Sequence, residues 1–290
     1  MLIGHQKIWQ YLNKLAEQDS LPHALLLSGQ EKLGKKTLAI EFTKQIFKED
    51  VMKRQHPDFI LVSPIKKEIQ ISQIKECLWK LSLKPSVASH KIAVIDEAQC
   101  LNKEAQNSLL KTLEEPKGKT LIFLIAEYQE KLLPTILSRC QTLKFHSVPE
   151  KEIERYLKTR NIAPAEISQI LENSGGRPGR VMDFLSEPEK LKAQSRITSD
   201  LEKILDSDLS FRFQAVKNLA AEPQNLKDIL DAWLRYFRNA LISAAGGKAL
   251  GGYSVPKLKK VLDEIERTNF LLSNTNANPR LALEILMMEI

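Results

Sequence analysis

Residues 28–37 read SGQEKLGKKT, and Gly29, Gly34 and Lys35 have the GxxxxGK spacing of a phosphate-wrapping loop. The glycines of such a loop let backbone N–H groups converge on phosphate at a helix N-terminus. The lysine neutralises the outer phosphates, and a Ser or Thr hydroxyl after it ligates magnesium. Here Lys36 stands at the hydroxyl position. Thr37 is no substitute, because one step along a helix turns a side chain by about 100°. Sliding the register would put Lys35 where the second glycine is needed. Glu31 adds a negative charge to the loop, which repels phosphate unless it points to solvent.

Two further stretches carry chemistry. The run KIAVID ends in Asp96-Glu97. In P-loop NTPases an acidic pair so placed orders magnesium through the aspartate and polarises the attacking water through the glutamate. Acids between a strand and a helix also serve as caps. Taken with the loop, the pair points to descent from an NTPase, which is a weaker statement than activity. Ser138-Arg139-Cys140 falls between a short helix and a strand; read alone, Arg139 is an exposed side chain or a charge at a helix C-terminus.

The elements that must hold these residues follow from apolar periodicity. Ile8, Tyr11, Leu12 and Leu15 recur at helical spacing, HALLLSG reads as a buried strand, and Ala39, Phe42, Ile46 and Phe47 mark the inner face of the helix opened by the loop. A strand DFILV, a helix through Ile74, Cys77, Leu78 and Leu81, a strand KIAVID and a helix over 102–115 come next. The strand TLIFLIA, a short helix KLLPTILSRC and a strand QTLKF complete the series. Strands that alternate with helices, each apolar throughout, predict an α/β domain with a parallel sheet covered on both faces. Past Pro149 every segment reads as helix, broken at SGGRPG, SEPE and AAGGKALGGYSVP. Leu226, Ile229, Leu230, Trp233, Leu234, Phe237 and Leu241 form a long stripe that VPKLKKVLDEI and PRLALEILMM would close into a bundle.

Composition narrows the class. The 290 residues suffice for two or three packed units, and no apolar run approaches the ~18 residues of a membrane span. The N-terminus lacks the order of a signal peptide, so the expectation is a cytoplasmic protein with no membrane role. Cys77, Cys100 and Cys140 are widely spaced in apolar segments, as reduced thiols would be, and no metal-ligand spacing occurs. A formal net charge of +7 permits contact with nucleic acid or an acidic partner.

The stretches IGHQKIWQYL, PHALLLSG, HPDFILV, KIAVIDEAQCLNKEAQNSLLKTLEEP, LLPTILSRC, SGGRPGR and NPRLALEILMM together resemble the bacterial clamp-loader δ′ subunits of the AAA+ family over essentially the whole chain. The resemblance implies a RecA-like AAA+ domain over 1–148, a helical lid over 149–190 and an all-α collar over 191–290. It also implies a ring with δ and ATP-hydrolysing γ/τ subunits that places a sliding clamp on primed DNA. In that family Ser138-Arg139-Cys140 would supply an arginine finger to the neighbouring subunit's nucleotide. Gly29, Gly34, Lys35, Thr37, Asp96 and Glu97 would form the degenerate nucleotide site, with at most residual ATP or ADP binding and no cofactor required. Many δ′ subunits carry a four-cysteine zinc module, but the matching stretch KEDVMKRQHPD has no cysteine, so no zinc is expected. The polar sensor after TLIFLI is replaced by Ala126 or Glu127, and the lid arginine would align near Gly179, leaving only its neighbour Arg180.

The rival reading is an active P-loop ATPase, a γ-type clamp-loader subunit or a helicase loader. Lys36 separates the two. A stand-alone basic DNA-binding protein lacks any base-reading motif, so DNA contact would be to phosphates and indifferent to sequence.

Overall fold

The computed structural model describes residues 2–52, 56–245, 253–275 and 277–290. It comprises two compact units, Met1–Met182 and Asp183–Ile290.

In the first unit five strands, β1 (Ala24–Ser28), β2 (Phe59–Val62), β3 (Lys91–Ile95), β4 (Thr120–Ala126) and β5 (Gln141–Lys144), form one sheet in the order β2-β3-β4-β1-β5. All pairings are parallel, with Leu26 opposite Leu124 and Val94 opposite Phe123. Successive side chains of a strand point to opposite faces. Leu26, Ala93, Ile122 and Leu124 therefore fall in one buried cluster, and Leu25, Leu27, Val94 and Phe123 in the other. The helices α3 (Ile71–Ser82) and α4 (Lys103–Glu114) contribute Ile74, Cys77, Leu109 and Leu113 to the first cluster. The helices α1 (Gln6–Glu17) and α2 (Lys35–Phe47) contribute Leu12, Leu38 and Phe42 to the second.

The expectation that every strand is apolar throughout fails at one sheet edge, β5, and full burial fails at both edges. β5 is QTLK and largely exposed, and β2 alternates between buried and accessible positions. An edge strand has one neighbour, so only its inward side needs burial. The segment expected as helix over KLLPTILSRC shrinks to α5 (Pro134–Leu137) after a 3₁₀ turn, Gln129–Lys131. The same unit continues through α6 (Glu150–Thr159), α7 (Pro164–Ser174) and the start of α8 (Pro178–Ser186).

Asp58 and Lys91 enter the interior together at the start of β2 and β3, their charged groups 3.2 Å apart and side chains 0% and 3% exposed. Burial by itself would push the Asp58 carboxyl up. The N–H groups of Ala88, Val87 and Ser86 and the Lys91 ammonium overcome it and hold the pKa down to about 2. Because the folded value lies below the unfolded one, this stabilisation is present above pH ~4 and is lost as pH falls through about 2. The shift corresponds to about 2 kcal/mol. Asp58→Asn should destabilise the first unit by about 3 kcal/mol near neutral pH, since it leaves the Lys91 charge buried without its partner. Its gap from wild type should narrow by about 2 kcal/mol between pH 5 and pH 2 in urea unfolding; a gap independent of pH would contradict the assignment.

The second unit packs α9 (Pro188–Leu205), α10 (Leu209–Ala220), α11 (Leu226–Ala245), α12 (Val255–Asn274) and α13 (Pro279–Glu289) around Trp233, Phe237, Val261, Ile265 and Leu286. Asp208, Ser254 and Asn278 cap α10, α12 and α13 by accepting N–H groups of the first turn. Arg212 donates to the carbonyls of Ile204, Leu205 and Ser207, satisfying the end of α9. Most of the break expected at AAGGKALGGYSVP lies outside the described residues.

Candidate functional site

The loop between β1 and α2 sits at the carboxyl edge of the sheet, where ligands of open α/β folds bind. Gly34 is the residue before α2, with φ 90°, and the helix opens at Lys35. Gly29 is glycine for a different reason: a Cβ there would lie 2.4 Å from the Phe145 carbonyl oxygen. Lys35 is 6% exposed, and its ammonium donates to the carbonyls of Gly29 and Gln30, the latter at 2.6 Å. Burial brings its pKa down to about 8, against the opposing charges of Glu127, Glu31 and Asp96. To reach a phosphate, this ammonium would have to leave the loop's own carbonyls. Glu31 is exposed, as is Thr37 on α2.

Lys36 Nζ lies 2.9 Å from Asp96 Oδ2, where a magnesium ligand set would be. Asp96 is held at the end of β3 by its N–H on the Val62 carbonyl, and its Oδ1 accepts from the N–H of Glu97. Lys36 remains 43% exposed, so the pair contributes only about 0–1 kcal/mol to stability. Its consequence is chemical. A monovalent cation occupies the carboxylate, and a divalent ion placed ~4 Å from the ammonium would meet repulsion of about 8 kcal/mol at surface dielectric. Glu97 is exposed, with φ 50°, and starts the 3₁₀ turn Ala98–Cys100.

At the end of β4, Ala126 is buried and offers no polar group, while the N–H of Glu127 donates to Gln99 Oε1 at 3.1 Å. Over the loop, the N–H of Gly179 in α8 donates to the Lys32 carbonyl at 2.7 Å. A Cβ on Gly179 would meet Lys32 O at 2.9 Å and Lys32 Cα at 3.0 Å. Here backbone meets backbone. Arg180 and Arg177 are buried, at 8% and 5% exposure, and the charge of Arg177 bears on Lys35. Arg177 was legible only as a letter of SGGRPGR. His5, whose ring nitrogen is 2.9 Å from the Leu33 carbonyl, had no sequence signal beyond IGHQ.

Arg139 stands apart from this cluster, just beyond α5. Its Nη2 lies 2.8 Å from Glu114 Oε1, and its Nη1 donates to the Thr135 carbonyl at 3.0 Å and to Ser138 Oγ at 3.2 Å. Cys140 is half-buried, and burial pushes its thiol up to about 12, so it is not a nucleophile at neutral pH. Among the described residues no group of three His, Cys, Asp or Glu side chains could hold a metal, and no helix is long and apolar enough to cross a membrane. Residues 53–55 of KEDVMKRQHPD lie outside the described ones.

Comparison with known proteins gives these features a context. The family model described as DNA polymerase III, delta subunit, matches residues 4–149. The DNA polymerase III subunit delta' of Bacillus subtilis is 30% identical over 206 residues, 66% of this chain and 62% of that protein. The same subunit of Pseudomonas aeruginosa is 28% identical over 193 residues, 60% of this chain and 58% of that protein. The matches thus span less than two thirds of either relative's length. A DNA polymerase III gamma subunit-related protein of Thermotoga maritima superposes with a TM-score of 0.52 at 19% identity, covering 96% of this chain and 97% of its own. That likeness concerns the fold.

Proposed function

The chain belongs to the DNA polymerase III delta-subunit family, as a δ′-type clamp-loader AAA+ protein, and on that footing we propose that it is a non-hydrolysing ring subunit which completes a neighbour's ATPase site. One observation carries the reading: the ion pair of Lys36 with Asp96, at 2.9 Å, stands where hydrolysis needs a hydroxyl and magnesium. The loop with Gly29, Gly34 and Lys35 then works as a structural junction, joined to the lid by the bond from Gly179 to Lys32. Neither nucleotide nor zinc is required for the chain's own part.

The partners in this account are γ/τ-type and δ-type subunits, with the sliding clamp and primed DNA engaged by the assembled cytoplasmic ring. The segments 1–148, 149–190 and 191–290 act as AAA+ domain, lid and collar. Arg139 serves the adjoining nucleotide, because a planar guanidinium stabilises charge on a transferring phosphoryl group where a flexible ammonium does so poorly. DNA contact runs through phosphates and weakens with salt.

The test is ATP turnover by the isolated chain, wild type and Lys36→Thr. Neither should hydrolyse ATP at a measurable rate. The substitution restores a hydroxyl, but the polar sensor after β4 and the lid arginine are still missing, and Gly179 has no room for a side chain. Robust magnesium-dependent turnover by either protein would reinstate the rival reading of an active γ-type subunit or helicase loader.

A further inference from the structure

We infer that Glu114 is the positioning residue for Arg139, and this rests on the trans role proposed above. Glu114 is the last residue of α4 and is exposed, yet its Oε1 takes Arg139 Nη2 at 2.8 Å. The other side of the guanidinium is fixed by the Thr135 carbonyl and Ser138 Oγ, both taking Nη1. The planar head is thereby gripped at two nitrogens, leaving Nε–H and the second Nη2 hydrogen for an incoming phosphate oxygen.

The gripping carboxylate has a rigid base. Leu109 and Leu113 of α4 are buried under the sheet. Gln106, also on α4, accepts the N–H of Leu133 and donates to the Lys131 and Leu101 carbonyls, tying α4 to the segment that leads into Arg139. α4 starts seven residues after Asp96 and ends at the arginine's partner, so one helix joins the chain's silent site to the group it offers its neighbour. A lone exposed ion pair contributes little stability. Its effect here is on geometry: an arginine otherwise free in several rotamers is held in one before the neighbour's nucleotide arrives.

The experiment reads clamp- and DNA-stimulated ATPase in a reconstituted ring whose only active site is the one abutting this subunit, with gel filtration to verify assembly. Glu114→Ala should lower kcat about three- to tenfold, the effect of freeing one ordered side chain, with KM for ATP unchanged. Glu114→Gln keeps an acceptor oxygen and should retain most of the rate. The double variant Glu114→Ala/Arg139→Ala should be no slower than Arg139→Ala alone. Undiminished or raised kcat in Glu114→Ala, beside a clear loss in Arg139→Ala, would overturn the positioning role and leave the finger standing. Additive losses in the double variant would overturn it as well. Full activity of the Arg139→Ala ring would remove the finger, and Glu114's role with it.

Discussion

Arg139→Ala should leave the chain folded and able to join the ring while removing most catalysis at the adjoining nucleotide. The folded state loses one exposed ion pair with Glu114 and two local hydrogen bonds, a change of less than about 1 kcal/mol for a surface site of this kind. The reaction loses far more. Arginine fingers in phosphoryl transfer contribute on the order of 10³–10⁵ in rate. A ring with several active sites would show only a partial fall in total turnover, because the remaining sites keep their own arginines. Arg139→Lys should rescue poorly, since a point charge on a flexible stem cannot reproduce a fork held by Glu114 and Thr135. The reading is stimulated ATPase of the reconstituted ring alongside its elution volume. Full turnover in an intact ring would take Arg139 out of the site.

A second large effect belongs to the other unit. Trp233 is 1% exposed at the centre of the core shared by α9 to α13, and deleting a buried indole leaves a cavity that destabilises by about 3–5 kcal/mol. A domain has about 5–15 kcal/mol in total. Trp233→Ala should therefore remove a large share of the stability of Asp183–Ile290 and lower entry into the ring, with the Met1–Met182 unit intact by limited proteolysis. Trp233→Phe should be far milder, because Trp233 Nε1 has no hydrogen-bond partner among the described residues and the ring still fills most of the space. Normal ring yield with Trp233→Ala would show that this unit is not what joins the chain to its partners.

The central strands were legible because parallel strands buried on both faces leave unbroken apolar runs such as ALLLS and TLIFLIA, which no alternation confuses. The edge strands were less so, since QTLK carries no such run. The defect at Lys36 was visible as a wrong residue type at a known spacing. Its partner was not: β1 and β3 flank β4 in the sheet, and only that order brings the start of α2 to the end of β3. Asp58 read as the first residue of the strand DFILV, and nothing local announced that three amides of residues 86–88 would converge on it. The grip of Glu114 on Arg139 depends in the same way on the packing of α4 against α5.

The most direct measurement is equilibrium binding of a labelled, non-hydrolysable ATP analogue to the isolated chain, with magnesium and without it. With Asp96 paired to Lys36 and Lys35 turned onto its own loop, binding should be weaker than about 1 mM, some −4 kcal/mol, and indifferent to magnesium. One-to-one binding in the micromolar range that tightens on adding magnesium would contradict the account.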